Sequence, residues 1–406
     1  MHPVRPIAAA AALSLAALAL TGCVANAPGG ASTISVDLTD TGCAVSTDTT
    51  TAGSISFSLN NSGSDINEFE IFAEDQLRIV GEKENITPGQ TVSYIAELQP
   101  GTYYTACKFQ MIGAPIGVAK FTVTGDRVEV SADEQQQIDK AVENYVFYIK
   151  SQTEELIPAV KAFTDAYVAG DDEQARTLFA ATRIPYERIE PTAGSFGDLD
   201  PSIDYREVDA VAEELDWTGF HRIEKDLWPP AAGTLNSDGT DAHLNWAPST
   251  PEQRQEFAQK LIEDTQKLYD LVHAPDFTVS LADISNGAIG LLDEVAAGKI
   301  TGEEDWWSHT DLTDFAANVQ GAEVAFENVR DIASAHGTDG AALVDSIDQE
   351  FKKLDALLAK YGDFEQGFVS YDQVTDAQRR ELSDQVNALA EPLSQLTHTV
   401  LGVPAE

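Results

Sequence analysis

The stretch that divides the chain into two parts runs from residue 131 to 167 and reads SADEQQQIDKAVENYVFYIKSQTEELIPAVKAFTDAY. Its apolar side chains recur three, four or seven residues apart, the spacing that places side chains on one face of an α-helix. Ser131 with Glu134 has the pattern of a helix-capping box, and Pro158 marks a place where the helix can kink. The stretch therefore predicts one long helix. The residues of its apolar face are Ile138, Val142, Tyr145, Ile149, Leu156, Val160, Phe163 and Tyr167.

Residues 33–130, before this helix, have a different period. Six runs alternate apolar and polar side chains, and turn signals such as Pro88-Gly89 and Pro100-Gly101 separate them. This pattern indicates a small β-sandwich. In the segment LQPGTYYTAC a Pro-Gly turn leads into a Tyr-rich strand that ends on Cys107. The segment resembles cupredoxins, so we expect an all-β cupredoxin-like domain over 33–130.

Residues 131–406 are predicted to form an all-α helical bundle. Thr250-Pro251-Glu252-Gln253 has the cap, first-turn proline and Gln of a helix start, and Thr375 with Gln378 has the same cap pattern. Strand-like runs are rare after residue 131. The sequence thus predicts two domains, the first β and the second α.

The charge of the chain is strongly negative. It carries 25 Lys and Arg against 67 Asp and Glu, a net charge of −42. Such a balance excludes a basic surface for nucleic acid or anionic lipid. It fits high solubility or the attraction of cations. A hydrophobic content of 43% excludes intrinsic disorder.

Residues 1–22 have the features of a lipoprotein signal peptide. Arg5 precedes the apolar run IAAAAALSLAALAL, which is too short and too rich in alanine for a stable membrane span. LTGC, ending at Cys23, resembles a bacterial lipobox, which implies cleavage before Cys23 and a lipid on its thiol. A plain signal peptide is the alternative. Residues 23–32 are predicted to be a flexible tether. We therefore expect an extracytoplasmic protein, lipid-anchored to the cell membrane in the periplasm or at the cell surface.

Two cysteines remain in the β domain, Cys43 and Cys107. Outside the cytoplasm two cysteines usually form one disulfide, but thiolates also bind metal. A blue-copper site needs two His ligands, and residues 31–130 contain no His, so such a site is not expected. Glu68 and Glu70 provide carboxylates near the same pole, so a mixed site for iron, Cu or Zn is the alternative to the disulfide.

The helical domain contains an H-x-x-E stretch, GFHRIEKDLW, residues 219–228. On a helix, His221 and Glu224 lie on one face, beside the apolar face of Phe220 and Ile223. A His nitrogen and a carboxylate oxygen suit Fe, Zn or Mn, but two ligands do not hold a metal. Two other segments are rich in candidate ligands, IPYERIEP and TGEEDWWSHTDLTDF. The residues that we expect to complete the shell are Glu187, Glu303, Glu304 and His309.

Four segments of the helical domain carry a family resemblance. TGFHRIEKDLW, PYERIEP, GEEDWWSHTDLTDFAANVQG and FTDAYVAGD together are similar to the imelysin-like peptidase family, whose hallmark is a G-x-H-x-x-E stretch. With a His-free cupredoxin-like domain and a lipobox before it, residues 33–406 resemble the lipoproteins of three-part bacterial iron-uptake systems.

This resemblance implies a protein that captures ferrous or ferric iron and delivers it to a membrane iron permease. A haem-dependent peroxidase would be the other partner. The family implies metal binding at His221 and Glu224. It implies a second site at Cys43, Cys107 and Glu68.

The peptidase label of the family is not matched by the residues. A zincin needs H-E-x-x-H and its inverted form needs H-x-x-E-H, whereas the residue after Glu224 is Lys225. Because the candidate ligands are mostly carboxylates, iron is favoured over a catalytic zinc. We therefore expect a binding protein, with a metallopeptidase or a ferroxidase-like protein as the alternatives.

Overall fold

The computed structural model describes residues 33–126 and 131–403. Residues 34–124 form strands and residues 132–400 form helices with one short hairpin, which confirms the predicted fold class. The signal peptide, the tether and Cys23 lie outside the described residues. None of the helices within the described ranges has the length and apolar content that a membrane span requires.

Within residues 33–126, nine strands form the two packed sheets of the first domain. The four-stranded sheet has the order β2-β1-β4-β7, and the five-stranded sheet has the order β3-β9-β8-β5-β6 when the strands are numbered along the chain. Neighbours are antiparallel except β1 with β4 and β3 with β9. The strands are β1 (Ile34–Leu38), β2 (Cys43–Val45), β3 (Thr49–Thr51), β4 (Gly53–Asn61), β5 (Asn67–Phe72), β6 (Ile79–Ile86), β7 (Thr91–Leu98), β8 (Gly101–Phe109) and β9 (Ile116–Thr124).

The core of the sandwich is aromatic. Phe57 of one sheet and Phe69 of the other lie with their ring centroids 5.3 Å apart, and Phe121 packs 6.0 Å from Phe57. All three rings are at most 1% exposed. Burial of large aromatic side chains on the inner faces of the two sheets therefore stabilises this domain.

Between residues 131 and 403, the second domain contains eleven α-helices. They are α1 (Ala132–Ala169), α2 (Asp172–Glu187), α3 (Leu199–Asp204), α4 (Glu207–Ala212), α5 (Gly219–Leu227), α6 (Pro251–His273), α7 (Leu281–Ala297), α8 (Asp311–Ala335), α9 (Gly337–Leu358), α10 (Asp376–Leu393) and α11 (Leu396–Val400). Short 3-10 helices span Glu190–Phe196, Lys299–Thr301 and Tyr371–Gln373, and a hairpin pairs β10 (Gly362–Asp363) with β11 (Gly367–Phe368).

The predicted helix starts are confirmed. Ser131 accepts a hydrogen bond from the backbone N–H of Glu134 at the start of α1, and the helix continues through Pro158 for 38 residues. Thr250 and Thr375 form reciprocal capping boxes at the starts of α6 and α10. These side chains satisfy backbone N–H groups that the first turn of a helix leaves unpaired.

The two domains contact each other where α7 packs against two edge strands, β6 of the five-stranded sheet and β7 of the four-stranded sheet. The Asn286 side chain donates a hydrogen bond of 2.7 Å to the carbonyl oxygen of Ile95. Lys83 of β6 forms an ion pair with Asp293 of α7. Polar contacts therefore contribute to the attachment of the β domain to α7.

Candidate metal centre

Helix α5 carries the H-x-x-E pair and is buried along its whole length. The predicted apolar face of Phe220, Ile223 and Leu227 is 0% exposed, as expected for a core face. His221 and Glu224 are also almost inaccessible, at 2% and 1%. The pair therefore lies inside the bundle, where buried ionisable groups need partners.

Gly219, the first residue of the motif, has a conformational reason to be glycine. Its φ is +83°, and a Cβ at this position would lie 2.1 Å from the carbonyl oxygen of Ile203. A residue without a side chain thus allows the start of α5 to touch the end of α3. This contact brings His221 towards Asp204, the last residue of α3.

The His221 ring is surrounded by carboxylates on both of its nitrogens. Nδ1 lies 3.0 Å from Oε2 of Glu224 and 3.9 Å from Oδ1 of Asp305. Nε2 lies 3.5 Å from Oε1 of Glu304 and 3.6 Å from Oδ1 of Asp204. Nε2 has no hydrogen-bond partner among the described residues. A buried ring nitrogen without a partner is an unusual feature in a folded protein.

These contacts define two groups of potential metal ligands that share His221. The first group is Asp204, His221 and Glu304, and the second is His221, Glu224 and Asp305. Within each group the donor atoms lie within 4.8 Å of one another, and every member is buried. One imidazole nitrogen with two carboxylate oxygens is a donor set that suits iron, zinc or manganese.

Glu224 is held in place by the loop that carries the other ligands. Its Oε1 accepts hydrogen bonds from the backbone N–H groups of Trp307 and Ser308, at 3.0 and 2.7 Å. Its Oε2 contacts His221. Both oxygens of Glu224 are therefore occupied by contacts within the protein.

Arg183 of α2 is the main positive charge beside the ligands. This side chain is fully buried and forms ion pairs with Asp204, Glu187 and Asp314. Its Nη2 also lies 3.5 Å from Oε1 of Glu304. The guanidinium thus connects carboxylates from α2, α3, α8 and the loop before α8. Its positive charge offsets part of the free-energy cost of burying several carboxylates close together.

The pKa of His221 is controlled by opposing effects. Burial and the charge of Arg183 lower the pKa, whereas the hydrogen bond to Glu224 and the nearby carboxylates of Glu304 and Asp204 raise it. The second set of effects is the stronger, and the pKa of His221 rises to about 10. The imidazole is therefore in its charged form, with a proton on both ring nitrogens, at neutral pH when no metal cation is bound.

Several neighbouring carboxyl groups also have raised pKa values. Burial raises the pKa of Asp204 to about 7 although Arg183 opposes it, and burial raises the pKa of Asp311 to about 7. Burial raises the pKa of Asp305 well above its usual range, again against the effect of Arg183. Perturbed pKa values of this kind concentrate at functional sites. A bound cation would favour the charged form of each carboxyl group.

A small cavity adjoins the two ligand groups. Its volume is about 20 Å³, and its walls include His221, Glu224, Glu304, Trp217 and Trp307. A space of this size is enough for one water molecule, which needs roughly 10–15 Å³. The cavity therefore fits an ion or a water, not a peptide.

Of the four predicted additional ligands, the structure brings only Glu304 to the His221 ring. Glu187 is buried but pairs with Arg183. Glu303 lines the same cavity, yet its carboxylate pairs with Arg206 at 2.9 Å. His309 lies in a neighbouring groove with tryptophan side chains. None of these last three belongs to either ligand group among the described residues.

Two acidic residues that were not selected from the sequence belong to the ligand groups. Asp305 follows Glu304 directly, so the acidic run GEED was the signal for it. Asp204 lies in a separate short helix, 17 residues before His221 in the sequence, and no motif marks it. Arg183 was also not identified, because a single arginine within a helix has no distinguishing pattern.

The cysteines of the β domain form a disulfide, which was one of the two predicted alternatives, and the mixed Cys and Glu metal site is therefore not formed. Cys43 and Cys107 are bonded across the two sheets, so neither offers a thiolate. Cys107 pairs in register with Phe69 and points into the sandwich core. Glu68 pairs with Lys108 on the other face of the sheet, because neighbouring residues of a strand point in opposite directions. Glu68 and Cys107 therefore cannot share a metal.

Comparisons with known proteins agree with the two domains. Residues 141–396 match the family model described as imelysin, and residues 10–118 match the model of the cupredoxin-like domain. The chain belongs to the imelysin family, with a cupredoxin-like domain before the imelysin domain.

Its relatives include the iron uptake system component EfeO of Escherichia coli, which is 38% identical over 395 residues. That match covers 96% of this chain and 97% of the relative. The EfeO proteins of Shigella flexneri and Shigella sonnei match with the same identity and coverage.

Proposed function

We propose that the protein is the extracytoplasmic iron-binding component of a bacterial iron-uptake system. The observation that carries the proposal is the buried His221 ring, whose unpartnered Nε2 faces the carboxylates of Asp204 and Glu304. The similarity to EfeO proteins over nearly the whole chain supports iron as the metal. Iron is the cargo of such a protein and would be bound and released, not retained for catalysis.

The two sides of the His221 ring have different roles in this proposal. Nε2 ligates iron together with Asp204 and Glu304. Glu224 accepts the hydrogen bond of Nδ1 and fixes the orientation of the ring, and the backbone of the Trp307 loop in turn holds Glu224. A carboxylate that orients a ligating histidine is a common arrangement in metal sites. Asp305 lies near enough to His221 to join the shell.

The site favours binding over peptide hydrolysis. A cavity of about 20 Å³ does not admit a peptide bond with its flanking residues. No second histidine belongs to the ligand groups found in the described ranges. A metallopeptidase also needs an open coordination position next to a substrate cleft. We therefore infer a binding and transport component and not an enzyme.

Iron titration of the full chain tests the proposal. We expect the unmodified chain to bind iron tightly at the His221 site, and we expect His221→Ala to lose at least about tenfold in affinity, since even the loss of an outer partner has this scale. The matched control is His243→Ala, because the His243 side chain is exposed and belongs to neither ligand group. Equal iron binding by His221→Ala and the unmodified chain would refute the site. Peptide cleavage that His221→Ala abolishes would establish the peptidase instead.

The partners and the anchor complete the proposal. The iron would pass to a membrane permease, with a haem-dependent peroxidase as the third component of the system. A lipid on Cys23 would keep the protein at the membrane where this transfer occurs. We expect Cys23→Ala to move the protein from the membrane fraction to the soluble fraction without loss of iron binding, as measured by fractionation and immunoblotting. Unchanged membrane association of that variant would contradict lipidation at Cys23.

A further inference from the structure

A groove with tryptophan and proline walls lies beside the His221 site and contains none of its ligands. Its volume is about 480 Å³, which falls within the roughly 300–1,000 Å³ that is typical of small-molecule sites. We call it the Trp groove. Its walls include Arg176, Trp228, Pro230, Trp306, Trp307 and His309.

Two of the indole rings in the Trp groove are held by contacts of their own. Trp306 donates its indole N–H to the carbonyl oxygen of Leu235, at 3.0 Å. The ammonium group of Lys225, which is fully buried, lies 4.6 Å from the ring centroid of Trp307. The aromatic walls are therefore positioned before a ligand arrives, which lowers the entropic cost of binding.

The charge of the groove walls differs from that of the chain as a whole. The net charge of the chain is −42, but none of the described residues that line the groove is an Asp or a Glu. Arg176 instead provides a positive charge, and His309 provides an imidazole. The groove is therefore a place where an anion meets little repulsion and one nearby cation.

Arg176 has hydrogen-bond donors to spare at this place. Its Nε donates a hydrogen bond of 2.7 Å to the carbonyl oxygen of Leu227, and its guanidinium lies 5.8 Å from the ring centroid of Trp228. Trp228 is itself packed edge-on against Phe179. The two Nη nitrogens of Arg176 form no hydrogen bond or ion pair with any described residue. Two such nitrogens match the paired oxygens of an anionic group.

His309 is held in an uncommon backbone conformation on the same groove. Its φ is +59°, a left-handed value that few residues other than glycine adopt. Its backbone N–H donates to the carbonyl oxygen of Asp305, and its own carbonyl oxygen accepts from the N–H of Tyr371. The imidazole has no hydrogen bond or ion pair within the described ranges. Such conformations concentrate at binding sites.

The Trp groove and the His221 site share one loop. Trp306 and Trp307 line both the groove and the small cavity beside His221. The backbone N–H groups of Trp307 and Ser308 hold Glu224. A ligand in the groove therefore contacts the loop that positions Glu224.

We propose that the Trp groove binds a small aromatic anion, such as an aromatic carboxylate or sulfonate. The ring of the ligand packs on the indole faces, since aromatic rings attract one another in offset and edge-on arrangements. Its anionic group accepts hydrogen bonds from the Nη nitrogens of Arg176 and from the imidazole of His309. This proposal does not depend on iron binding at His221.

Two fluorescent compounds with the same rings test the proposal in the full chain. The compound 1-anilino-8-naphthalenesulfonate carries an anionic group, and N-phenyl-1-naphthylamine has the same rings without it. Both become fluorescent in an apolar environment, so titration of each gives its affinity. We expect the sulfonate to bind at one site.

Arg176→Gln is the variant that separates recognition of the anion from apolar attraction. We expect it to weaken binding of the sulfonate by at least about tenfold and to change binding of the uncharged compound by less than about threefold, because it removes only a charged hydrogen-bond donor. Unchanged sulfonate binding would overturn the proposal. Equal losses for the two compounds would do the same, since they would indicate an apolar surface of the kind that a partner protein covers.

The matched control is Arg380→Gln, which removes the same charge from an exposed position on α10 outside the Trp groove. We expect this control to bind both compounds like the unmodified chain. A loss of sulfonate binding equal to that of Arg176→Gln would show a general effect of net charge and would refute the site.

Thermal unfolding shows whether Arg176→Gln damages the groove itself. Arg176 is exposed, so the variant should melt like the unmodified chain without ligand. The sulfonate should raise the melting temperature of the unmodified chain more than that of the variant. If the variant melts lower without ligand, His309→Asn decides, because Asn tolerates the left-handed backbone. Sulfonate binding that is unchanged in His309→Asn would then refute the proposal.

Discussion

Glu304→Gln is expected to reduce the iron affinity of the protein by at least about a hundredfold, whereas Glu224→Gln should cost only about tenfold. The difference follows from their positions on the His221 ring. Glu304 faces the unpartnered Nε2 and would be a ligand, while Glu224 contacts Nδ1 and is held by two backbone N–H groups. Partners that only orient a ligand contribute roughly 10–100-fold.

Calorimetric titration of the two variants with iron measures this difference. Glu303→Gln is the matched control, because Glu303 lines the same cavity but pairs with Arg206. We expect the control to bind iron within about threefold of the unmodified chain, since it removes no ligand or orienting partner. A larger loss for Glu224→Gln than for Glu304→Gln would place the iron on the Nδ1 side, with Glu224 and Asp305 as its ligands.

The second large effect concerns pH. Because the pKa of His221 is raised to about 10, iron must displace a proton from the ring at any pH below that value. We expect the affinity to rise about tenfold per pH unit between pH 6 and 8 for the proton of His221 alone. A proton released from Asp204, whose pKa burial raises to about 7, would make the dependence steeper below that pH.

The stability of the iron-free protein should have the opposite dependence on pH. A histidine whose pKa is raised by folding stabilises the folded state fully below its unfolded value of about 6.5. That contribution is lost as the pH rises towards 10.

Calorimetry in buffers of different ionisation enthalpy counts the protons released on iron binding. An affinity independent of pH in the unmodified chain, or an equal slope in His221→Ala, would contradict the role of the imidazole.

The parts of the molecule that depend on local patterns were predictable from the sequence. The long helix α1 follows from its apolar spacing and its Ser131 cap, and the strands of the β domain follow from alternation. The pair His221 and Glu224 was found because three residues on a helix separate neighbours on one face. Local periodicity thus predicted the fold class and brought the pair His221 and Glu224 forward as the candidate site.

The rest of the site depends on packing between distant segments. Asp204 reaches His221 only because Gly219 lets α5 approach Ile203, and no periodic pattern encodes that approach. Glu187 and His309 have the right chemistry but point towards Arg183 and a tryptophan groove. For Glu68 and Cys107 the missing information was strand register, which places them on opposite faces of one sheet.

The buried guanidinium of Arg183 has a consequence for the release of iron in the proposed function. Carboxylates without a positive partner would repel one another after the metal leaves. The site would then have to rearrange with each release of iron, at a cost in free energy. The ion pairs of Arg183 with Asp204, Asp314 and Glu187 involve none of the proposed metal's bonds to His221. The ligand carboxylates should therefore keep the same arrangement with and without iron. The site could then bind a new ion directly after the previous one has been released.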